Sequence, residues 1–457
     1  MAGLGRKLFV SLVGSTLAIC IVPLTAVAAS IDIRSGSFTD GAAYLIQKPS
    51  DWNGALVLYS HGYVVPGSPN PAPDVGDPLT GAWLLGHGYA LAGSSYASTG
   101  WALEEAIPDQ IATLDTFTGL FGAPTRTIAW GHSLGGMITA GLLQTHPDRF
   151  DAALPMCGVV GGAVGVWNQA LDAEFAIQQL LASGTNLKVV NLGFPNFANL
   201  GLAESAVGAA QTTPAGHARI ALAAALGDLP GWFSPASVEP AATDYGAQEY
   251  NQYLWITQIN AFFLFFLRGE MEARAGGNPS WNTGVDYSKQ LAMSADIAEV
   301  QALYAQAGLS LDADLATLAA APRISADSGA VGYLTDNIVY NGELGGKPVL
   351  TLHTTGDGLV VPENEQAYRS SAQRAKSAPH LREAFVHRAG HCEFTPAETI
   401  AAFQALVSRL DTGRWAGVTD PAALNAAATA LGTTYNLAPA SYIDYASPKF
   451  LRPFDLG

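Results

Sequence analysis

Residues Gly131, His132, Ser133, Leu134, Gly135 and Gly136 form a G-x-S-x-G run. A serine hydroxyl in such a turn can act as a nucleophile if a base takes its proton and a carboxylate holds that base in one tautomer. In a chain with 49 glycines the run alone proves little. Its setting is what carries weight. Apolar Ile128, Ala129 and Trp130 lead straight in, and the apolar stretch 137–143 leads straight out, which is the strand, sharp turn and helix that expose a serine on a strained backbone. Bulk two residues before or after the serine would block that turn, and Gly131 and Gly135 remove it.

A base and an acid are expected downstream. Asp357 lies in Thr354-Thr355-Gly356-Asp357-Gly358, after an apolar run ending at His353, and His391 lies in Ala389-Gly390-His391-Cys392, after a run ending near His387. Both positions fall where a strand hands over to a tight loop, and the order nucleophile, acid, base lets successive strands deliver all three to one sheet edge. His353 and His387 read better as packed or hydrogen-bonded histidines, and His132 as shaping the turn. Glu363 and Asp336 are competing acids that lie away from a strand-to-loop junction. Acyl transfer also needs donors for an oxyanion. The N–H of Leu134 is one, and the His61-Gly62-Tyr63 turn supplies the other, with Tyr63 preferred and Gly62 next.

The elements that must position these groups follow from apolar runs. Stretches 55–60, 89–93, 126–130 and 152–156 read as strands, with helices at 82–87 and 104–120 between them, and this alternation implies a mostly parallel sheet flanked by helices. Between 158 and 346 the rhythm gives way to Ala-rich helical segments at 167–183, 203–226, 250–272 and 297–318, read as an inserted cap. Trp255, Phe262, Phe263, Phe265 and Phe266 make one part of it apolar almost all round, over too short a span to cross a bilayer. That part is either a buried cap helix or an aromatic lid wall facing an apolar substrate. The sheet resumes with strands at 348–353 and 382–387 and helices at 363–375 and 396–410, and 416–457 reads as a loose extension.

With 49% hydrophobic and 13% charged residues in 457, the chain has ample material for a large core. Its 22 basic and 38 acidic residues give a net charge of −16 with no basic run, which argues against nucleic acid as a partner. Arg6 and Lys7 precede an apolar run diluted by Ser11, Gly14, Ser15, Thr16 and Pro23, and Ala26-Val27-Ala28 supplies small residues for cleavage. Residues 1–29 therefore read as a secretory signal cut near Ala28. Cys20 leaves with it. The two remaining cysteines, Cys157 and Cys392, are expected to pair outside the cell.

With these residues in place, the chain resembles the α/β-hydrolase superfamily of serine hydrolases, in particular exported esterases and lipases with a GHSLGG elbow. The resemblance spans 31–160 and 345–412, and the insertion corresponds to the cap of such enzymes. It implies an α/β-hydrolase fold, an acyl-enzyme on Ser133, and no cofactor or metal. No HExxH, CxxC or dinucleotide glycine signature argues otherwise, and Asp312 and Asp314 read as a helix-start cluster. His391-Cys392 is also similar to the His-Cys pair of tannase and feruloyl-esterase-like enzymes, where a disulfide ties the histidine loop to the nucleophile region. Here His132, not a cysteine, precedes Ser133, so Cys157 becomes the partner and a tannase-like substrate does not follow.

The resulting division is 1–29 signal, 30–157 core, 158–346 cap, 347–415 core and 416–457 extension. The expected function is a secreted carboxylic-ester hydrolase for neutral or apolar esters, small or polymeric, without stable membrane insertion. A serine peptidase, aminopeptidase or amidase is the alternative. Only about 100 residues separate the cleavage point from Ser133, too few for a propeller domain ahead of the core. A noncatalytic binding module would leave the nucleophile, base and acid without a purpose. N-terminal sequencing of the exported protein should find a start adjacent to Ala28, and retention of Arg6 and Lys7 would refute the signal.

Overall fold

The computed structural model describes residues 30–455, so the expected signal, Cys20 included, lies outside the described residues. Nine strands form one sheet: β1 (Ile31–Ser37), β2 (Ala43–Pro49), β3 (Ala55–Ser60), β4 (Ala90–Ser94), β5 (Arg126–His132), β6 (Ala152–Met156), β7 (Val349–Gly356), β8 (Leu381–Ala389) and β9 (Tyr442–Ile443). Their order is β1-β2-β4-β3-β5-β6-β7-β8-β9. The six from β4 to β8 run parallel, while β2 runs against both of its neighbours, β1 and β4, and β9 against β8. Every residue of β3, β4 and β6 is buried, as apolar strands covered on both faces must be. This is the expected α/β-hydrolase fold.

The parallel direction places the carboxyl ends of β5, β7 and β8 along one edge, so the loops that follow them meet although they are remote in sequence. Helices Pro78–Gly86, Leu103–Phe121, Leu134–Thr145 and Pro396–Thr412 cover the two faces. The last of them carries a capping box between Thr395 and Glu398, which satisfies two of its free N-terminal donors.

Between β6 and β7 the described chain is helical, with a core of its own that includes Leu171, Phe175, Leu222, Phe265 and Leu318. Three segments expected as single helices are broken. The 203–226 stretch divides into Phe197–Ala210 and Pro214–Leu226, because Thr213 caps a new start with Pro214 in its first turn. The 297–318 stretch divides at Gly308, which ends one helix with a φ of 66°, and Ser310 caps the next. The 250–272 stretch becomes a helix at Tyr245–Trp255, wide turns at Ile256–Asn260 and Phe263–Leu267, and a helix at Arg268–Ala275. A buried ion pair between Arg268 and Glu174, 2.6 Å long, anchors this irregular run to the helix Ala163–Leu180.

The extension 416–457 is not loose. It forms a helix at Pro421–Ala430, adds β9 to β8, buries Phe450, and sends Arg452 to both oxygens of Asp172 at 2.7 and 2.6 Å. Its Ala/Pro/Tyr composition concealed this because the strand is only two residues long and the anchoring contacts are tertiary. No helix among the described residues is long and apolar enough to cross a membrane.

Cys157, just past β6, is bonded to Cys392 in the loop after β8, across 235 residues of sequence. Closing so long a loop restricts the unfolded chain. Nonreducing peptide mapping should recover the Cys157–Cys392 linkage, and replacing both by serine should lower unfolding free energy by about 2–5 kcal/mol in denaturant titration. Two free thiols in the purified protein would refute the pairing.

Candidate active site

Ser133 sits at the β5-to-helix turn with φ 58° and ψ −124°, a strained conformation for a residue with a side chain. The turn is tight enough that a Cβ on Gly131 would lie 2.4 Å from Ser60 O, and one on Gly135 only 1.9 Å from the same atom. The two flanking glycines therefore answer to a close backbone approach as well as to the turn.

His391 Nε2 lies 2.8 Å from Ser133 Oγ, and its Nδ1 lies 2.7 Å from Asp357 Oδ2. With Nδ1–H donating to the carboxylate, Nε2 is free to accept the serine proton. Asp357 is fixed from its other oxygen, where Oδ1 accepts the N–H groups of Leu359 and Val360, each at 3.0 Å. Burial opposes its charge, but the neighbouring imidazoles of His391 and His353 prevail and hold its pKa down at about 2.

The competing residues fall elsewhere. His353 is buried behind the acid loop, with Nδ1 2.9 Å from Glu365 Oε1 and Nε2 2.8 Å from Val360 O. Burial works against its charge, yet Asp357 and Glu365 raise its pKa to about 10, so it serves as a buried cation beside the acid. His132 contacts Tyr59 Oη at 3.2 Å, and enclosure, with His391 nearby, lowers its pKa to about 4. A neutral His132 adds no charge next to the base. His387 pairs with Glu239 at 3.1 Å, Glu363 faces a different cavity, and Asp336 is exposed at a helix end. Cys157, Cys392 and His391 lie close enough together to ligate an ion, but the two sulfurs are bonded to each other.

The oxyanion side also assembles. The N–H groups of Leu134 and Tyr63 have no acceptor among the described residues, and a Cβ on Gly62 would lie 3.3 Å from Ser133 Cβ, so this loop crosses directly over the serine. Sequence reading missed what holds it. Cap residue Glu270 accepts from Tyr63 Oη at 3.3 Å and from the Trp101 N–H at 3.0 Å. Arg274, one turn on, bonds Glu270 and reaches Glu105 and Ser98 of the core. A Glu and an Arg four apart on a helix is an ordinary surface pattern, so only the docking of cap on core exposes its role.

Ser133 opens into a cavity of about 110 Å³, with Trp101, Val159, Trp167, Ile177, Phe263 and Phe265 in its walls. No charged side chain lines it. Its size is of the order of the roughly 150 Å³ cavity that takes up a benzene ring in another protein. In the aromatic cap run Phe265 is buried in the cap core, as a buried cap helix would have it, and Phe265 and Phe263 also line the cavity.

A model of the prolyl oligopeptidase family matches residues 83–171, the stretch that contains the serine turn. Over 426 residues the chain is 31% identical to o-phthalyl amidase of Xanthobacter agilis, covering 87% of this chain and 91% of that protein. The chain belongs to that amidase's family. It is a serine hydrolase on the α/β-hydrolase fold. Similar solved structures include feruloyl esterase B of Aspergillus oryzae, with 13% identity, TM-score 0.41 and coverage of 83% of this chain and 81% of that one. Another is the acylaminoacyl peptidase of Pyrococcus horikoshii, with 11% identity, TM-score 0.38 and coverage of 85% and 42%.

Because Asp357 is ionised well below the ordinary carboxylate range, its charge stabilises the fold above about pH 4, and this contribution is lost as pH falls through about 2. Asp357→Asn should lack that segment of the acid-unfolding profile. It should also lower kcat by about 10⁴, as expected for a base held in the wrong tautomer. Activity within tenfold of wild type would remove Asp357 from the relay.

Proposed function

We propose that this protein is a secreted carboxylic-ester hydrolase that takes a neutral, aryl-sized or short apolar acyl group. The observation that carries the reading is a serine–histidine–aspartate relay opening into a cavity without a charged wall. Ser133 Oγ attacks the acyl carbon while its proton passes to His391 Nε2, and the carbonyl oxygen, now negative, takes hydrogen bonds from the Leu134 and Tyr63 N–H groups. The tetrahedral adduct collapses as His391 returns the proton to the leaving alcohol, giving an acyl-Ser133 ester. Water then gives up a proton to the same imidazole and attacks that ester, and the carboxylic acid departs with Ser133 restored. Asp357 keeps the imidazole in the tautomer that both half-reactions need.

Amide hydrolysis is the second reading, favoured by the family relative whose name is o-phthalyl amidase. The same relay serves it, but an amine leaves only after His391 delivers a proton to nitrogen, so proton transfer weighs more heavily than for an ester. Parallel assays with p-nitrophenyl benzoate, benzoyl p-nitroanilide and phthalyl p-nitroanilide separate the two. A higher kcat/KM on the ester is expected, with the benzoyl compounds preferred over the phthalyl one; a higher value on either anilide would move the assignment to an amidase. Labelling by a fluorophosphonate should be lost in Ser133→Ala, and labelling that survives this change would locate the nucleophile elsewhere.

A further inference from the structure

The loop that carries Asp357 separates two cavities. Its residues Gly358, Leu359, Val360 and Val361 face the apolar cavity above Ser133, whereas Thr355, Gly356, Pro362 and Glu363, on either side, face a second cavity of about 540 Å³. Four carboxylates line this second space: Asp228 and Glu239 from the cap, Asp296 at the start of a cap helix, and Glu363 from the core. No lysine or arginine lines it, and its one histidine, His387, is already paired with Glu239.

The protein leaves these carboxylates short of donors. Asp228 Oδ2 accepts from Gln169 at 2.7 Å and from the Leu451 N–H at 3.4 Å. The Asp296 carboxylate accepts no hydrogen bond from a described residue, its only accepting atom being the main-chain carbonyl that takes the Val300 N–H, and Glu363, only 7% exposed, has its Oε2 buried with no partner. A buried acceptor of this kind costs free energy until something donates to it. Burial, with Asp296 nearby, pushes the Glu363 pKa up to about 8; burial alone lifts Asp296 to about 6, and burial followed by the Glu363 charge raises Asp228 well above its ordinary value. Burial is the first cause of all three shifts, and repulsion from a neighbouring carboxylate adds to it at Glu363 and Asp228, with no lysine or arginine counter-charge in the cavity wall to offset either.

Two observations define what would supply that charge. The carboxylate oxygens do not converge as a metal site would require, since among the described residues no group of three acidic or histidine ligands meets around one point here. The walls also include the rings of Trp232 and Tyr445, and aromatic faces beside carboxylates hold organic cations by combined charge and ring-quadrupole attraction. We propose that this cavity is a binding site for an organic cation bearing a primary ammonium or guanidinium group, which donates to Glu363 and Asp296 and lies against Trp232 and Tyr445. The site is distinct from the acyl cavity but adjoins it, because Gln169 lines the acyl cavity and bonds Asp228 in this one.

Calorimetric titration of the full exported chain with agmatine tests the proposal. Saturable binding is expected, weakened at least about tenfold in Glu363→Gln and in the more exposed Asp296→Asn, with neutral butyramide showing none. Fluorophosphonate labelling of Ser133 should persist in both variants and so report an intact fold independently of the site. No saturable agmatine binding by the wild-type chain, equal binding by both labelled variants, or displacement of agmatine by calcium chloride at equal concentration would overturn it.

Discussion

A hydrogen bond of 2.8 Å joins His391 to Ser133 across 258 positions of sequence, and most of the core architecture can be read as the means of keeping it. Directed hydrogen bonds weaken steeply with distance and angle, so two loops on separate strands must be held to within a fraction of an ångström. The parallel strands bring both loops to one edge. The Cys157–Cys392 link then ties the loop after β8 to the end of β6, and the Ser133 N–H bonds Met156 O at 3.0 Å, next to that link. The Gly390 N–H bonds Gly356 O at 3.0 Å, which couples the histidine loop to the acid loop as well. Base, acid and nucleophile are thus braced against one another by main-chain contacts.

The electrostatics follow from burial. Asp357 would be costly as a bare charge in the interior, yet His391 and His353 on either side keep it ionised. His353 in turn is compensated by Glu365, so charges alternate through the buried strand end and none stands alone. His132 stays uncharged beside this array. The second cavity lacks such alternation, which sets its carboxylates apart from those around the relay.

The cap acts on the core through few, specific contacts. Glu270 grips the Tyr63 and Trp101 loops, Arg274 reaches Glu105 and Ser98, and Arg268, two residues before Glu270, is buried against Glu174 with its guanidinium 4.9 Å from the Trp167 ring. The wide turns at Ile256–Asn260 and Phe263–Leu267 place Phe263 and Phe265 at the acyl cavity, while in the following helix Glu270 and Arg274 reach the core and Arg268 and Glu272 bond within the cap. Cap and core therefore share the definition of the cavity: the core contributes the reacting groups, and the cap closes the space around them.

The sequence by itself determined the sheet, the strained serine turn, the candidate acid and base, and the cysteine pair. These depend on local patterns: apolar runs long enough to be strands, glycines where a backbone must pass closely, and the order of loops along parallel strands. Strands β1 and β2 escaped notice because their residues are mixed: β1 is exposed along nearly its whole length and β2 buries only Ile46 and Pro49, so neither carries a continuous apolar run to mark it. Tertiary structure alone decided the anchoring of residues 416–457, the grip of Glu270 on the Tyr63 loop, and the gathering of Asp228, Glu239, Asp296 and Glu363. Each of these brings together side chains from distant segments whose individual contexts look like ordinary surface or helix, and local propensity holds no record of which distant group a side chain will meet.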